Sequence, residues 1–503
     1  RRGDSVKFIS NVKLLMKITQ EYVNAQFTIV FSAIFSVLFL LNSFNFADGV
    51  WRPYVLGFFI IYVTTTLYIW VATWQIKKDL AKQREIQKRT RLLGYPLMLT
   101  VVVGNVFAAG FGFMLATKNK TAEYTFAIYA LITQIFIIVI SALNLFKPYV
   151  VDTFLFAMGA FLALAVFYAV MAVLVARYVT ASNAPKWMIP LGVVLLLPTL
   201  TGNLFSLLLG LTLIKKARNT DPSAVEKWQK IWSKILRNTM AVFGMFFIIF
   251  MFSLSVVSSW TFDYDFAVQN NYSALLQTPS LEYPLGTDNF GRDLFSRIVF
   301  GAQISLIVGF FSTIIPAVIG GALGAFSGYY GKNTDNIIMR LLDILYAVPG
   351  ILLAIAIIAA FGANTVNLII ALSVGAIPTY ARTMRANVMQ IANFEFVESA
   401  KALGVSDAAI IFKHIVPNAL APMIVKATLT IGGAVISTSS LSFLGLGIEP
   451  HIPEWGNILK VGSTYLETNS YVAIFPGLCI MLLVLSFNFF GDGLRDALDP
   501  KTN

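Results

Sequence analysis

The sequence is poor in the side chains on which many enzymes and secreted domains depend. It has one cysteine, Cys479, and two histidines, His414 and His451, among 503 residues. A single cysteine within an apolar run excludes an intrachain disulfide and a thiolate metal cluster. Strings of the forms G-x4-G-K-[ST], HExxH and GxSxG do not occur in it either. We therefore predict that the chain is no enzyme by itself and binds no cofactor or metal.

Charged residues are also scarce. They make up 12% of the chain, against 57% hydrophobic residues and a mean hydropathy of +0.75. Such a composition cannot give a solvated surface. Spans of about 20 apolar residues cross a hydrocarbon core of about 30 Å. The composition therefore predicts an all-α polytopic membrane protein with about 12 transmembrane helices.

Most of the net charge of +12 comes from two basic stretches rather than from a soluble module. Residues 77–91 and 215–237 carry seven Lys or Arg side chains each. Basic loops of this kind stay in the cytoplasm. They predict a multi-pass protein of the cell (inner) membrane with both termini cytoplasmic, surrounded by lipid and with no nucleic-acid partner.

The chain is predicted to divide near residue 220, where Asp221, Pro222 and Ser223 interrupt the apolar pattern. Residues 1–214 would be an N-terminal membrane domain of about six helices with no assigned role. Residues 215–239 would include a basic amphipathic helix lying in the membrane interface. Residues 240–503 would form a second domain of six helices. The predicted spans are 26–46, 54–75, 96–117, 125–146, 153–175 and 188–213, then 240–260, 303–328, 342–361, 365–383, 418–445 and 471–490.

A polar stretch at residues 394–422, here named the knob, interrupts the spans of the second domain. The residues from Glu395 have helix-forming composition, and Gly404 stands where a left-handed residue would end that helix. Ser406 is a predicted N-cap of a second helix, which should stop before Pro417. From these residues alone, a docking element and an ordinary amphipathic loop are both open.

Several strings resemble one family. Glu398, Ser399, Ala400, Gly404 and Pro417 match the EAA-x3-G-x9-I-x-L-P signature of ABC importer permeases, with His414 and Val416 at its Ile and Leu positions. PLGTDNFGRD at 284–293, GYYG with MRLLDILYAVPG within 328–350, and LSFLGLGIEPHIPEWGNIL at 441–459 occur in the expected order. Together they resemble the C-type permease subunit of the oligopeptide, dipeptide and nickel importers (OppC or DppC), over about residues 220–503.

This resemblance implies a type I ABC importer permease core in residues 240–503. It implies a homologous B-type permease, two ABC ATPase subunits that carry the ATP and Mg, an external solute-binding protein and a peptide cargo. The implied ATPase-coupling residues are Glu395, Glu398, Ser399, Ala400, Lys401, Gly404, His414 and Pro417. The implied external residues facing the binding protein are Gly286, Thr287, Asp288, Arg292, Asp293 and Trp455.

Simpler structural roles are predicted for some of these motifs from the residues themselves. Arg292 beside Asp293 would be a weak surface pair. Arg340 and Asp343, three residues apart on one helix, would form a local ion pair. Pro349 followed by glycine would kink a span.

The primary functional hypothesis is a permease subunit of an ATP-driven importer of di- or oligopeptides. Nickel or another small solute is an alternative cargo. An ion-coupled secondary carrier is the alternative of another class, since twelve spans in two sixes are typical of carriers, although few charges lie within the spans. A third hypothesis makes residues 1–214 an assembly or regulatory module.

Overall fold

The protein is described here by a computed structural model that covers residues 15–16, 19–45, 49–117, 121–181, 183–219 and 221–499. The predicted cytoplasmic tails before residue 15 and after residue 499 lie outside these residues. The chain forms two compact units, Arg1–Ala142 with Leu155–Thr239, and Leu143–Phe154 with Met240–Asn503. Within the described ranges, eight helices are long and apolar enough to cross a membrane, or nine if one bent pair counts as a span.

Unit 1 contains long helices and short broken ones. Its helices are α1 (Gln20–Ser43), α2 (Pro53–Gln83), α3 (Lys88–Leu92), α4 (Gly94–Met98), α5 (Val106–Ala116), α6 (Ala122–Ala142), α7 (Phe154–Tyr178), α8 (Ile189–Val194), α9 (Leu204–Arg218) and α10 (Pro222–Arg237), with 3-10 turns at Leu99–Val103, Lys186–Met188 and Leu197–Thr201. A short antiparallel ribbon, β1 (Phe44–Asn45) with β2 (Val50–Trp51), joins α1 to α2.

Two stretches predicted as full spans, 96–117 and 188–213, instead fold back on themselves. A Cβ on Gly112 would lie 2.6 Å from the carbonyl oxygen of Gly94, and a Cβ on Gly210 would lie 2.6 Å from that of Gly192. A straight helix would separate such pairs by about 27 Å. Each stretch is therefore a helical hairpin, named hairpin A (94–116) and hairpin B (189–218).

Both hairpins reverse at a glycine followed by an asparagine. Gly104 and Gly202 have φ of +81° and +79°, which glycine adopts without the steric penalty of a Cβ. In hairpin A the Asn105 side chain accepts a hydrogen bond from the Ala108 amide at 3.1 Å and so caps α5. Apolar length alone does not distinguish this geometry from a span, because both bury their apolar side chains.

Helix α10 carries the amphipathic pattern seen in the sequence. Its N-cap Asp221 accepts hydrogen bonds from the amides of Ser223 at 3.0 Å and Ala224 at 3.2 Å. Trp232 on its apolar face is buried and packs edge-on against Phe126, with ring centroids 4.9 Å apart. The helix therefore packs by its apolar face on α6, within unit 1.

Unit 2 is built mainly from long helices. They are α11 (Thr239–Thr261), α12 (Asp265–Val268), α13 (Leu294–Tyr330), α14 (Lys332–Ala347), α15 (Gly350–Phe361), α16 (Thr365–Ile391), α17 (Glu395–Ala402), α18 (Asp407–Ala409), α19 (Val416–Phe443), α20 (Trp455–Thr464) and α21 (Tyr471–Leu498). Helices α14 and α15 meet at an angle of 81°, as Pro349 predicts. The 37-residue α13 packs closely on α16, since a Cβ on Gly320 would lie 2.6 Å from the carbonyl oxygen of Ile377.

Candidate functional site: the knob and the GTD loop

The first helix of the knob ends as the sequence predicts. Helix α17 runs over Glu395–Ala402, and Gly404 has a φ of +76°. The Val405 amide donates to the Ala400 carbonyl at 3.1 Å, and the Gly404 amide donates to that of Lys401 at 3.0 Å. These two bonds form a Schellman motif, which satisfies the last carbonyls of the helix.

The second helix does not stop before Pro417, and this corrects the prediction. Helix α18 passes through a π-helical turn at Ile410–Ile415 directly into α19. Pro417 lies in the first turn of α19, where a missing amide proton is tolerated. The π-turn widens the helix just before the proline, so the knob is joined to α19 without a break.

One face of the knob is buried in unit 2. Val397, Ile410, Ile411 and Ile415 have no exposed surface, and they pack in one hydrophobic cluster with residues of α13, α16 and α19. Four fully buried branched side chains of this kind stabilise packing by roughly 1.5–3 kcal/mol each. The knob is therefore held against three long helices.

The opposite face carries most of the predicted coupling residues. Glu395, Glu398, Ser399, Lys401, Gly404 and Pro417 are exposed, and His414 is half-buried. Ala400 is an exception: it is only 7% exposed and belongs to the cluster under the knob, so its small side chain serves the packing of the knob itself. Several large apolar residues are exposed here, notably Leu403 at 83% and Phe412 at 54%.

Polar contacts also attach the knob to the end of α13. The hydroxyl of Tyr329 donates to Asp407 Oδ1 at 2.6 Å. Lys401 Nζ lies 4.9 Å from the centre of the Tyr329 ring, within range of a cation–π interaction. One tyrosine thus contacts both short helices of the knob.

Ion pairs join α14 to α16, and they differ from those predicted. Asp343 accepts from Arg382 at 2.6 Å rather than from Arg340, which donates to Asn336 at 2.9 Å. Arg382 of the neighbouring helix α16 thus binds the Asp343 carboxylate, in place of Arg340 of the same helix. A second pair, Arg385 with Asp335, has two bonds of 2.5 and 2.6 Å.

Residues 284–293, here named the GTD loop, form a buried charge network. Asp288 accepts from Arg292 Nε at 2.7 Å and lies 3.6 Å from Arg297 Nε, and all three side chains are at most 6% exposed. The amides of Phe290 and Arg292 donate to the same carboxylate at 2.8 and 3.0 Å. The predicted surface pair between Arg292 and Asp293 is therefore wrong, because Arg292 turns inward to Asp288.

Asp293 has another role, as the N-cap of α13. Its carboxylate accepts from the amides of Phe295 at 3.2 Å and Ser296 at 3.0 Å. Gly286, Thr287, Asp288, Arg292 and Asp293 are all buried. These side chains shape the loop from inside and do not present its outer face.

Trp455 lies in the same part of unit 2 and is fully buried. Its indole Nε1 donates to the Ile298 carbonyl at 3.0 Å, and its ring packs against Gly301. The neighbouring Glu454 caps α20 by accepting from the Asn457 amide at 3.0 Å. Burial raises the pKa of the Glu454 carboxyl, against the lowering effect of the hydrogen bonds it accepts.

Three of these features escaped sequence reasoning. Tyr329, Arg385 and Glu454 gain their roles from partners distant in the chain or from burial, so no local pattern marks them. The duplicated GN string of the hairpin tips, at 104–105 and 202–203, was visible in the sequence and could have been found by a search for repeats.

Unit 2 combines membrane-crossing helices with a two-helix knob that is packed on one face and exposed on the other, which is the architecture of a transport permease. Comparisons with known proteins agree. The profile described as "Binding-protein-dependent transport system inner membrane component" matches residues 320–503, and the one described as "N-terminal TM domain of oligopeptide transport permease C" matches residues 227–279.

Two relatives are similar over more than half of the chain. The glutathione transport system permease GsiD of Pectobacterium atrosepticum is 41% identical over 281 residues, 56% of this chain and 93% of that protein. The dipeptide transport system permease DppC of Alkalihalophilus pseudofirmus is 43% identical over 279 residues, 56% of this chain and 91% of that protein. The chain belongs to the family of binding-protein-dependent ABC importer permeases, and it is a multi-pass membrane protein and a permease rather than an enzyme.

Proposed function

We propose that the chain is the C-type permease subunit of an ABC importer that moves di- or oligopeptides into the cell. A homologous B-type permease would complete the pathway with it. Two separate ABC ATPase subunits would bind the ATP and Mg, while this chain would bind no cofactor. A solute-binding protein would deliver the cargo from outside.

The geometry of the knob is the observation that supports this proposal most. Its inner face packs on α13, α16 and α19, and its outer face exposes Leu403 and Phe412. A large apolar side chain with most of its surface in solvent gains free energy when a partner covers it. Because the π-turn joins the knob to α19, displacement of the knob by an ATPase would move that helix.

The proposed orientation follows from the basic segments and the hairpins. If hairpins A and B return to the side from which they enter, four spans precede α10, and residues 77–91 and 215–237 face the cytoplasm together. Counting the bent pair α14 and α15 as one span, the knob and both termini lie on that side too. The GTD loop and Trp455 then lie at the external end, where the exposed parts of this region would face the binding protein.

Peptide cargo rests on the relatives, two of which are named for glutathione and dipeptide transport. These are a tripeptide and dipeptides, so short peptides are the shared chemistry. No observation in the described residues favours nickel or an ion-coupled carrier over this cargo.

The experiment is affinity co-purification of the tagged chain from its native membrane, with Leu403→Asp compared with wild type. Wild type should bring down two ATPase subunits and a second permease. Leu403→Asp should recover at least about tenfold less ATPase, because a leucine buried at an interface contributes roughly 1.5–3 kcal/mol. It should keep the second permease.

Leu466→Asp is the matched control, since Leu466 is 54% exposed and lies between α20 and α21. It should retain both ATPase subunits and the second permease. Equal loss of ATPase in both variants would contradict the proposal that the knob binds the ATPase. Purification of wild type alone, still active in liposomes without ATPases, would instead identify a secondary carrier.

A further inference from the structure

Residues 21–205 contain the same strings twice. EY at 21–22 and LNSF at 41–44 recur as EY at 123–124 and LNLF at 143–146. RPYV at 52–55 recurs as KPYV at 147–150, and GNVF at 104–107 recurs as GNLF at 202–205. The order and the near-constant spacing indicate an internal duplication.

The structure repeats as well. The first copy is α1, α2 and hairpin A, and the second is α6, α7 and hairpin B. In each copy the asparagine of the hairpin tip donates to the first helix of its own copy: Asn105 to the Ser32 hydroxyl at 3.1 Å, and Asn203 to the Ala130 carbonyl at 3.0 Å. The copies therefore share one architecture.

The loop between the two long helices is where the copies differ. In the first copy it is the ribbon of β1 and β2, and it stays in unit 1 with the partly exposed Arg52 at its end. In the second copy, residues 143–154 belong to unit 2. Lys147 stands at the position that corresponds to Arg52.

Lys147 is held in a site built for a cation. Its Nζ donates to Asp293 Oδ2 at 2.5 Å and to the Ser296 hydroxyl at 2.7 Å. It also lies 4.6 Å from the centre of the Phe266 ring. The Lys147 and Asp293 side chains are 1% and 0% exposed, so each charge depends on the other for its solvation.

Other contacts fix the loop around this pair. Asn144 Nδ2 donates to the Thr261 carbonyl at 2.9 Å, and Thr153 donates to the Trp260 carbonyl at 3.0 Å. Tyr149 stacks on Phe266 with ring centroids 4.7 Å apart. The relative from Pectobacterium atrosepticum has about 300 residues, since 281 residues are 93% of it, so it is too short to contain a unit of the size of unit 1 as well.

We infer that the second-copy loop, residues 143–154, is an integral part of the permease unit, and that Lys147 is a positioning residue for Asp293 and the first turn of α13. The N-terminal half thereby contributes one loop to the permease unit, at the end where the GTD loop lies. The first-copy loop, with Arg52, remains part of unit 1.

The test is a double-mutant cycle in the full chain, with thermal unfolding in detergent and hydrogen exchange of residues 286–300 as readouts. Lys147→Met should lower the unfolding temperature by roughly 5 °C or more and speed exchange in that segment, because it leaves the Asp293 charge buried. Asp293→Asn alone should be similarly harmful, since Lys147 is then left unpaired. Asparagine can still cap α13.

The double variant Lys147→Met with Asp293→Asn should recover most of the loss, because neither charge remains. Lys147→Arg should keep the pair in part, and the matched Arg52→Met should change neither readout. Additive losses in the double variant, or equal effects of Lys147→Met and Arg52→Met, would overturn the inference. If a single variant fails to accumulate, recovery of membrane levels by the double variant decides the same question. These readouts measure stability and do not depend on ATPase binding. The inference and the proposed function can therefore fail independently of each other.

Discussion

The GTD loop and the knob are polar regions of the permease unit that use charge in opposite ways. In the GTD loop, Asp288 and Arg292 are at most 6% exposed and are paired at 2.7 Å. In the knob, Glu395, Glu398 and Lys401 are exposed, and so is the large apolar Leu403. Each region departs from the usual preference for exposed charges and buried leucines.

This difference shows which region is complete in one chain. The buried charges of the GTD loop have their partners within unit 2, so the loop is a finished structural element. The exposed apolar side chains of the knob gain by being covered. One motif thus marks a structural element whose charges are paired within unit 2, and the other marks the surface that we propose for a partner.

The largest expected difference is between two variants, one that removes a buried carboxylate of the GTD loop and one that removes an exposed carboxylate of α14. Asp288→Ala leaves Arg292 and Arg297 buried without their carboxylate and should destabilise unit 2 by about 3–5 kcal/mol. Asp343→Ala breaks the pair with Arg382, whose side chains are 55% and 41% exposed, and should cost less than about 1 kcal/mol. Thermal unfolding in detergent measures the loss of stability in both variants. Equal losses would contradict the idea that the GTD loop depends on buried charges more than α14 depends on exposed ones.

A smaller effect is expected from two glycines with the same backbone conformation. Gly291 and Gly404 have φ of +74° and +76°. A Cβ on Gly291 would collide with the Asn271 carbonyl, whereas on Gly404 it would meet nothing within 4 Å in the described part of the chain.

Gly404→Ala should therefore cost only the left-handed strain, about 1–2 kcal/mol. Gly291→Ala should cost more, since the backbone must also shift. Thermal unfolding of the two alanine variants ranks them, and a larger loss for Gly404→Ala would contradict the idea that the knob is open on this face.

The smallest effect concerns pH. Burial raises the pKa of Glu454, so the folded protein holds this proton to a higher pH than the unfolded chain, in which the pKa is about 4.3. The stabilisation is complete below the unfolded value and is lost as pH rises through the folded one. Unfolding temperatures of wild type should thus fall over this range.

Glu454→Gln stays neutral and should flatten that dependence. The exposed Glu467→Gln serves as the control and should follow wild type. An unchanged slope in Glu454→Gln would mean that another group titrates.

Much of the fold was predictable because its signals are local. Apolar length predicts the spans, and Gly404 ends α17 as the pattern of a helix C-terminus requires. The prediction that α18 stops at Pro417 failed because a π-turn adapts the helix to the proline. The prediction of spans at 96–117 and 188–213 was wrong, because hydropathy does not distinguish an apolar segment that crosses a membrane from one that forms a hairpin.

The sequence by itself determined the class of protein, the family and the ends of the knob's first helix, because composition, motif strings and glycine conformation are properties of short segments. Only the tertiary structure decided that Arg292 turns to Asp288, that hairpins A and B fold back, and that Lys147 meets Asp293. These three features depend on contacts between side chains or segments that only folding brings together. The charge of a lysine or arginine does not determine which carboxylate it will bind. Burial then sets the energies of the two ion pairs, since desolvation makes each charge costly once its partner is removed.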